Sequence, residues 1–357
     1  MDALLQSTRS FRHGARGRLL GVLFRRVAVA AMAGALGACG GGGTAAAPPP
    51  PPAPGPAPAP SGPLPAQLSV PAPTGYDADR LAAFDRLNEI RLSAGLGMLA
   101  QSVAMDQAAQ AHALWIIAND AFTHDEQEGT PGFTGTSWAR RDEAFGYVPV
   151  GGVELMSASV HGALGVDVLV NGVYHRAGLL AFEPVDVGIG WSGQAAATVA
   201  LPLVIDMTRP GTDTVRGLGQ AAQPAIDGVA IWPLAGATDV PTGLGLESPN
   251  PVPDQDVLTL GTPASVTVAA DETIAATAFV LTERDTGRVV PTRMLTQQDD
   301  PNGLIPGSFV AAVPLAVLAS GRTYVADFSG SSTRFPSGAV AAIRRHWSFT
   351  TTAQPPR

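Results

Sequence analysis

Lysine is absent from the 357 residues: all 22 basic side chains are arginines. With the abundance of alanine and proline, this reads as the base composition of a GC-rich gene and carries no functional signal. A single cysteine excludes any disulfide within the chain. Aromatic residues make up only 6% and are not interleaved with a basic stripe. Formal net charge is -8; residues 1–38 carry +5, which leaves -13 on the remainder. A body of that sign repels phosphates and argues against a nucleic-acid partner. No apolar run approaches the roughly 20 residues that a bilayer-spanning helix needs. G-x-S-x-G and H-E-x-x-H, the local signatures of a serine nucleophile and of a zinc helix, are both missing.

What is present begins with Arg25-Arg26, followed by the short apolar run Val27–Ala38 and then Leu36-Gly37-Ala38-Cys39. A positive segment, an apolar segment and small residues at the cut describe a signal peptide. Leu-Gly-Ala-Cys resembles the bacterial lipobox, in which the cysteine becomes the lipid-carrying first residue. Residues 1–38 are therefore expected to be a lipoprotein signal peptide, and Cys39 the lipidation site and the contact with the membrane. Gly40 after the cysteine favours the outer membrane or cell surface.

Residues 39–75 are rich in Pro, Gly and Ala and cannot bury a core, so an extended tether is expected. From Tyr76 the pattern becomes periodic. Leu81, Phe84, Leu87 and Ile90 give helical spacing. A second, Ala-rich helix runs through Leu99, Val103, Met105, Ala109, Leu114 and Ile117. "RRDEAFGY" reads as a third helix and "VDVLVNGVYHRAGLLAF" as a fourth. "DVGIGW" and "AATVALPLVIDM" read as strands. After Pro210 the texture changes to short β-rich runs: "ASVTVAA", "ATAFVLTE", "GRVVPTRMLT", "GSFVAAVPL", "TYVADFSG" and "HWSFTTT". The fold class is therefore α+β: a mixed part over 76–210, then an all-β sandwich over 222–353, each able to fold alone.

Chemistry has few candidates among six histidines. His112, His124, His161 and His175, with Glu154 and the acids Asp125, Glu126 and Glu128, make a plausible metal or acid–base set. The plainer readings are specific. His112 is a core or helix-surface residue and His161 a loop residue. Asp125, Glu126 and Glu128 are solvated, Glu154 accepts backbone N–H groups at a helix start, and Arg176 forms an ion pair.

Five blocks occur in order: "LNEIRLSAGLGMLA", "AQAHALWIIANDAFTH", "ARRDEAFGY", "GGVELM" and "YHRAGLLAFEPVDVGIG". Together they resemble the CAP superfamily of cysteine-rich secretory, antigen 5 and pathogenesis-related 1 proteins, in its cysteine-free bacterial branch. The resemblance covers about residues 80–208 and implies an α-β-α sandwich. It places His124 and His175 at the two cavity histidines and Glu154 at the glutamate of the family's G-E-N. It further implies that these three converge on a cleft, where the histidines could hold a divalent metal such as zinc. The second glutamate that completes the animal tetrad has no counterpart close before His175, the nearest acid being Asp167. Leu155 stands in place of the Asn of G-E-N. Separately, "LASGRTYVADF" resembles the L-x-x-G-x-x-Y run of bacterial immunoglobulin-like domains, with Tyr324 as a tyrosine corner.

These readings converge on an exported, lipid-anchored protein that binds a small-molecule, lipid, cell-wall or metal ligand in a His/Glu cleft. An adhesive or envelope-structural role, with the first domain as scaffold, is the alternative. A metal-assisted hydrolase ranks last, because no nucleophile is recognisable and Cys39 is committed to the anchor.

Overall fold

The computed structural model describes residues 66–158, 162–210 and 228–353. The signal-peptide segment, Cys39, His161 and most of the tether lie outside these residues. The tether's expected end at residue 75 meets structure earlier. Gln67 O accepts the Met98 N–H at 2.8 Å, and Thr74 pairs with the Gln101 side chain through both backbone groups at 2.8 Å.

The first part is a three-layer sandwich. Its sheet has the order β1-β3-β4-β2, with β1 Ala100–Gln101, β2 Pro149–Ala158, β3 Asp186–Trp191 and β4 Pro202–Pro210. One face carries α1 (Ala78–Ser93), α4 (Gly162–Asn171) and α5 (Tyr174–Leu179). Phe84, Leu87, Ile90, Val166, Leu169 and Leu179 pack there against Leu155, Val187, Ile189 and Ile205. The other face carries α2 (Val103–Asn119) and α3 (Trp138–Ala144), with Ala109, Ala113 and Ile116 against Met156 and Val204. Alternation along β2 makes this division: Val153 and Leu155 point to the first face, Glu154 and Met156 to the second.

α2 starts at Ser102, whose hydroxyl accepts the Met105 N–H, and ends at Asp120 in the left-handed region. Its buried face coincides only in part with the one that the apolar spacing selects: Met105 and Ala109 are buried as expected. Val103 and Leu114 are exposed, while Ala108, Ala109, His112 and Ala113 are buried. The physical reason is close approach. A Cβ on Gly188 would lie 2.4 Å from the Met105 Cβ, and one on Gly190 would lie 2.2 Å from the Ala109 backbone. Glycines on the strand let the helix approach at Met105 and Ala109, so small residues such as Ala108, Ala109 and Ala113 share its buried face.

Two further expectations change. The fourth helix divides into α4 and α5, the chain turning at Gly172, where a Cβ would lie 2.6 Å from the Glu247 carboxylate. β2 was not marked by any apolar run, because Gly151 and Gly152 dilute its pattern. Glu154 accordingly lies on a strand and not at a helix start.

The second part is a β-sandwich of two sheets, β11-β10-β7 and β5-β6-β9-β8. They comprise β5 Val229–Trp232, β6 Ala264–Val268, β7 Glu272–Glu283, β8 Thr292–Leu295, β9 Phe309–Pro314, β10 Thr323–Arg334 and β11 Ala339–Thr350. The six β-rich runs fall one on each of β6 to β11, of which β7, β10 and β11 extend beyond their runs, and β5 lies on none of them. Val266, Val310, Leu281, Phe328 and Trp347 fill the space between the sheets. Tyr324 is buried, and its hydroxyl accepts the Ala319 N–H at 2.9 Å, the bond that a tyrosine corner requires.

The boundary region 211–227 lies outside the described residues, but the surfaces on either side of it are joined. All the described residues belong to one compact unit. Val173 and Ala177 of α5 share a buried cluster with Leu244, Val252, Leu260, Ile305 and Phe309. Arg176 is fully buried, and the expected ion pair is replaced by carbonyls: Nε donates to Val170 O at 2.6 Å and Nη1 to Pro263 O at 2.7 Å. Burial without a bonded carboxylate lowers its pKa to about 9. Asn171 Nδ2 donates to the carbonyls of Gly243 and Leu244 at 2.7 Å.

Candidate functional site

Cross-strand register places Glu154 directly opposite Asp206, with Gly188 next along the same row. All three face α2 and α3. Like charges directly opposite on a sheet repel, so cations or protons must accompany this pair.

The cations come from the helices. His112 lies on α2 and Arg141 on α3, both fully buried. Arg141 Nη2 donates to Glu154 Oε2 at 2.5 Å, and Nη1 donates to the His124 carbonyl at 3.0 Å. The His112 ring stacks on Trp115 with centroids 5.7 Å apart. Its Nδ1 lies 3.0 Å from Glu126 Oε1 and its Nε2 3.0 Å from the Thr123 carbonyl. Both nitrogens therefore face acceptors, and only the doubly protonated ring makes both bonds. Glu126 is buried, against the expectation of a solvated loop acid. It accepts the Thr134 N–H at 2.6 Å and the Gly135 N–H at 3.2 Å, which ties the loop after α2 to the start of α3. Asp125 and Glu128 are exposed, as expected.

His124 is the solvent-facing member. Its side chain is 51% exposed, and Nδ1 lies 2.8 Å from Glu154 Oε1. Three bonds hold its segment: the Thr123 carbonyl to His112, the His124 carbonyl to Arg141, and the ring to Glu154. Among the described residues no partner is found for Nε2.

The carboxylates divide by charge. Burial opposes ionisation of Glu154, but the His124 hydrogen bond and the Arg141 guanidinium hold it down at about 2. Glu126 is lowered too, the His112 and Thr134 bonds and Arg141 outweighing its burial. Asp142 on α3 is pushed up to about 7 by burial and by the Glu154 charge. Asp206 rises well above the carboxylate range by burial, Glu154 and Asp142. Glu154 and Glu126, which the guanidinium and the imidazoles face, are thus shifted down, and Asp142 and Asp206 are shifted up. Neither Asp142 nor Asp206 receives a donor from the protein.

A pH dependence follows. A group whose folded pKa is raised stabilises the fold at low pH, and that contribution is lost as pH rises through the folded value. For Asp142 the loss runs from its ordinary 3.8 up to about 7, at about 1.4 kcal/mol per pH unit per proton. Glu154 acts oppositely, its contribution disappearing as pH falls from 4.5 toward 2. The protein should therefore be more stable near pH 5 than near pH 8. In Asp206→Asn a permanent amide donor replaces the proton. Its melting temperature should exceed the parent's at pH 8 and approach it at pH 5. A variant less stable than the parent by the same amount at both pH values would refute the upward shift of Asp206.

The third residue expected in the cleft, His175, is placed differently. α5 packs on the opposite side of β2, Gly178 lying against the side chains of Val153 and Leu155. The His175 ring bonds Glu247 of the second part at 3.1 Å. The structure thus brings together His124 and Glu154 and gives His175 a separate carboxylate. Among the described residues, no group of three or more His, Cys, Asp or Glu side chains is arranged to hold a metal ion. Sequence reasoning missed Arg141, Asp142 and Asp206. The available signal was Asp206 itself, an acid inside the apolar strand "LPLVIDM".

Comparison with known proteins gives the following. The sequence model of the family described as "CAP: Cysteine-rich secretory protein family" matches residues 84–196. None of the curated proteins matches. Among solved structures, the chain is similar to an extracellular protein containing an SCP domain from Bacillus anthracis, with 21% identity and a TM-score of 0.31 over 37% of this chain and 40% of that one. An outer surface protein of Borrelia burgdorferi gives 15% identity and a TM-score of 0.31, over 36% of this chain and 89% of that one. The match thus spans 40% of the length of the Bacillus protein.

Proposed function

We propose that this chain, whose residues 84–196 match the CAP family model, is an exported, lipid-anchored binding protein whose ligand meets His124. The observation that carries this reading is the half-exposed imidazole anchored through Nδ1 on the buried, ionised Glu154. Such a ring is pre-oriented before any ligand arrives, which lowers the ordering cost of binding.

The classes to test are cell-wall polymers, lipids and zinc. Purified peptidoglycan, phospholipid vesicles and zinc chloride are titrated separately against the labelled protein while the His124 ring signals are followed. One class should perturb His124 and lose affinity at least tenfold in His124→Ala. If none of the three shifts His124, the reading fails.

The anchor is tested independently. Cys39 lies outside the described residues, so the proposal rests on Leu36-Gly37-Ala38-Cys39. Two or three acyl chains hold a protein on a membrane at about 0.8 kcal/mol per buried CH₂. Cys39→Ser should move the protein from the detergent phase to the aqueous phase on Triton X-114 partitioning. Unchanged partitioning would refute the anchor.

A further inference from the structure

The second solvent-facing histidine of the first part is held by a residue of the second part. Glu247 has a fully buried side chain. Its Oε2 accepts the Val173 N–H at 2.6 Å, and its Oε1 accepts the Tyr174 N–H at 2.7 Å and the His175 N–H at 3.3 Å. α5 has no side-chain cap of its own, so a carboxylate 73 residues further along the chain from Tyr174 satisfies the donors at its start. Gly172 leaves the space, because a Cβ there would meet Glu247 Oε1.

The same oxygen lies 3.1 Å from His175 Nδ1. A carboxylate that already accepts three N–H groups is acceptor-only, so Nδ1 must bring the proton. In the neutral ring the lone pair then sits on Nε2, for which no partner is found among the described residues. The ring is 21% exposed.

We propose that Glu247 is a positioning residue that fixes His175 as the Nδ1–H tautomer and turns Nε2 outward as a hydrogen-bond acceptor. Glu154 does the same for His124. On its own face of the sheet, a His175 ring that offers a lone pair selects a ligand bearing hydroxyl or amino protons. That choice of ligand rests on the binding reading above; the tautomer does not.

The test is a long-range ¹⁵N–¹H spectrum of the labelled full chain at about pH 8, where a free imidazole is neutral. His175→Phe identifies the signals by subtraction. The parent should show His175 protonated at Nδ1, and Glu247→Ala should lose that pattern in favour of Nε2–H or a mixture. An Nε2–H tautomer in the parent overturns the proposal, as does a folded Glu247→Ala protein that keeps Nδ1–H. If Glu247→Ala does not fold, the parent spectrum decides alone. Failure here leaves the His124 titrations standing, so the two readings fail separately.

Discussion

A chain ending at residue 210 is expected not to fold cooperatively, whereas residues 66–353 should unfold in a single transition. Cutting there uncovers Val173 and Ala177, whose buried partners Leu244, Val252, Leu260 and Phe309 are lost. It removes Ala230 from the main core of the sandwich and Trp232 from its margin. It also strips polar groups of their partners: the N–H groups of Val173 and Tyr174 lose Glu247, and the buried Arg176 guanidinium loses Pro263 O. Each buried polar group left unpaired costs about 1–3 kcal/mol, and a whole domain is stable by only about 5–15 kcal/mol. Three such groups come to about 3–9 kcal/mol, which with the lost apolar contacts is comparable to the whole stability of a domain. Calorimetry of the longer chain should give one endotherm, and circular dichroism of the shorter one a broad transition with no midpoint. Two endotherms, or a sharp transition in the truncated chain, would establish separable domains.

Replacing Arg141 by alanine should lower stability by about 3–5 kcal/mol, the usual cost of breaking a buried ion pair from one side. For a unit of this size that is roughly 6–15 °C in melting temperature. The loss exceeds that of one bond because Glu154, Asp142 and Asp206 remain buried together without the guanidinium. The His124 carbonyl also loses its donor. The energy is shared, so Arg141→Ala combined with Glu154→Gln should cost less than the sum of the two single changes, by more than about 1 kcal/mol. Strict additivity, or a melting temperature within about 2 °C of the parent, would mean that Arg141 does not compensate these carboxylates.

The first two helices, β3, β4 and all six β-runs of the second part were readable because their periods are local. β2 was not, since Gly151 and Gly152 interrupt its alternation. The family resemblance located His124 and Glu154, and they do meet. It gave no access to Asp206, whose significance lies in being opposite Glu154, because strand register is invisible in one sequence. Glu247 was hidden for the same reason: "LGLESPN" reads as turn, and only the tertiary fold carries that carboxylate to α5. The buried face of α2 was legible only in part, because apolar spacing seeks large side chains and this interface includes small ones.

The flush contact of α2 on Gly188 and Gly190 has a consequence at a distance. At these two positions the strand brings no side chain between itself and the helix, so the height of α2 above β3 is set there by close backbone approach. His112, Thr123 and His124 ride on or just beyond that helix, while Glu154 is fixed on another strand. The gap between His124 and Glu154 is thus gauged by a spacer elsewhere in the sheet. A single methyl group added at Gly190 would lift the helix and open that gap, disabling the imidazole without touching any residue that contacts it.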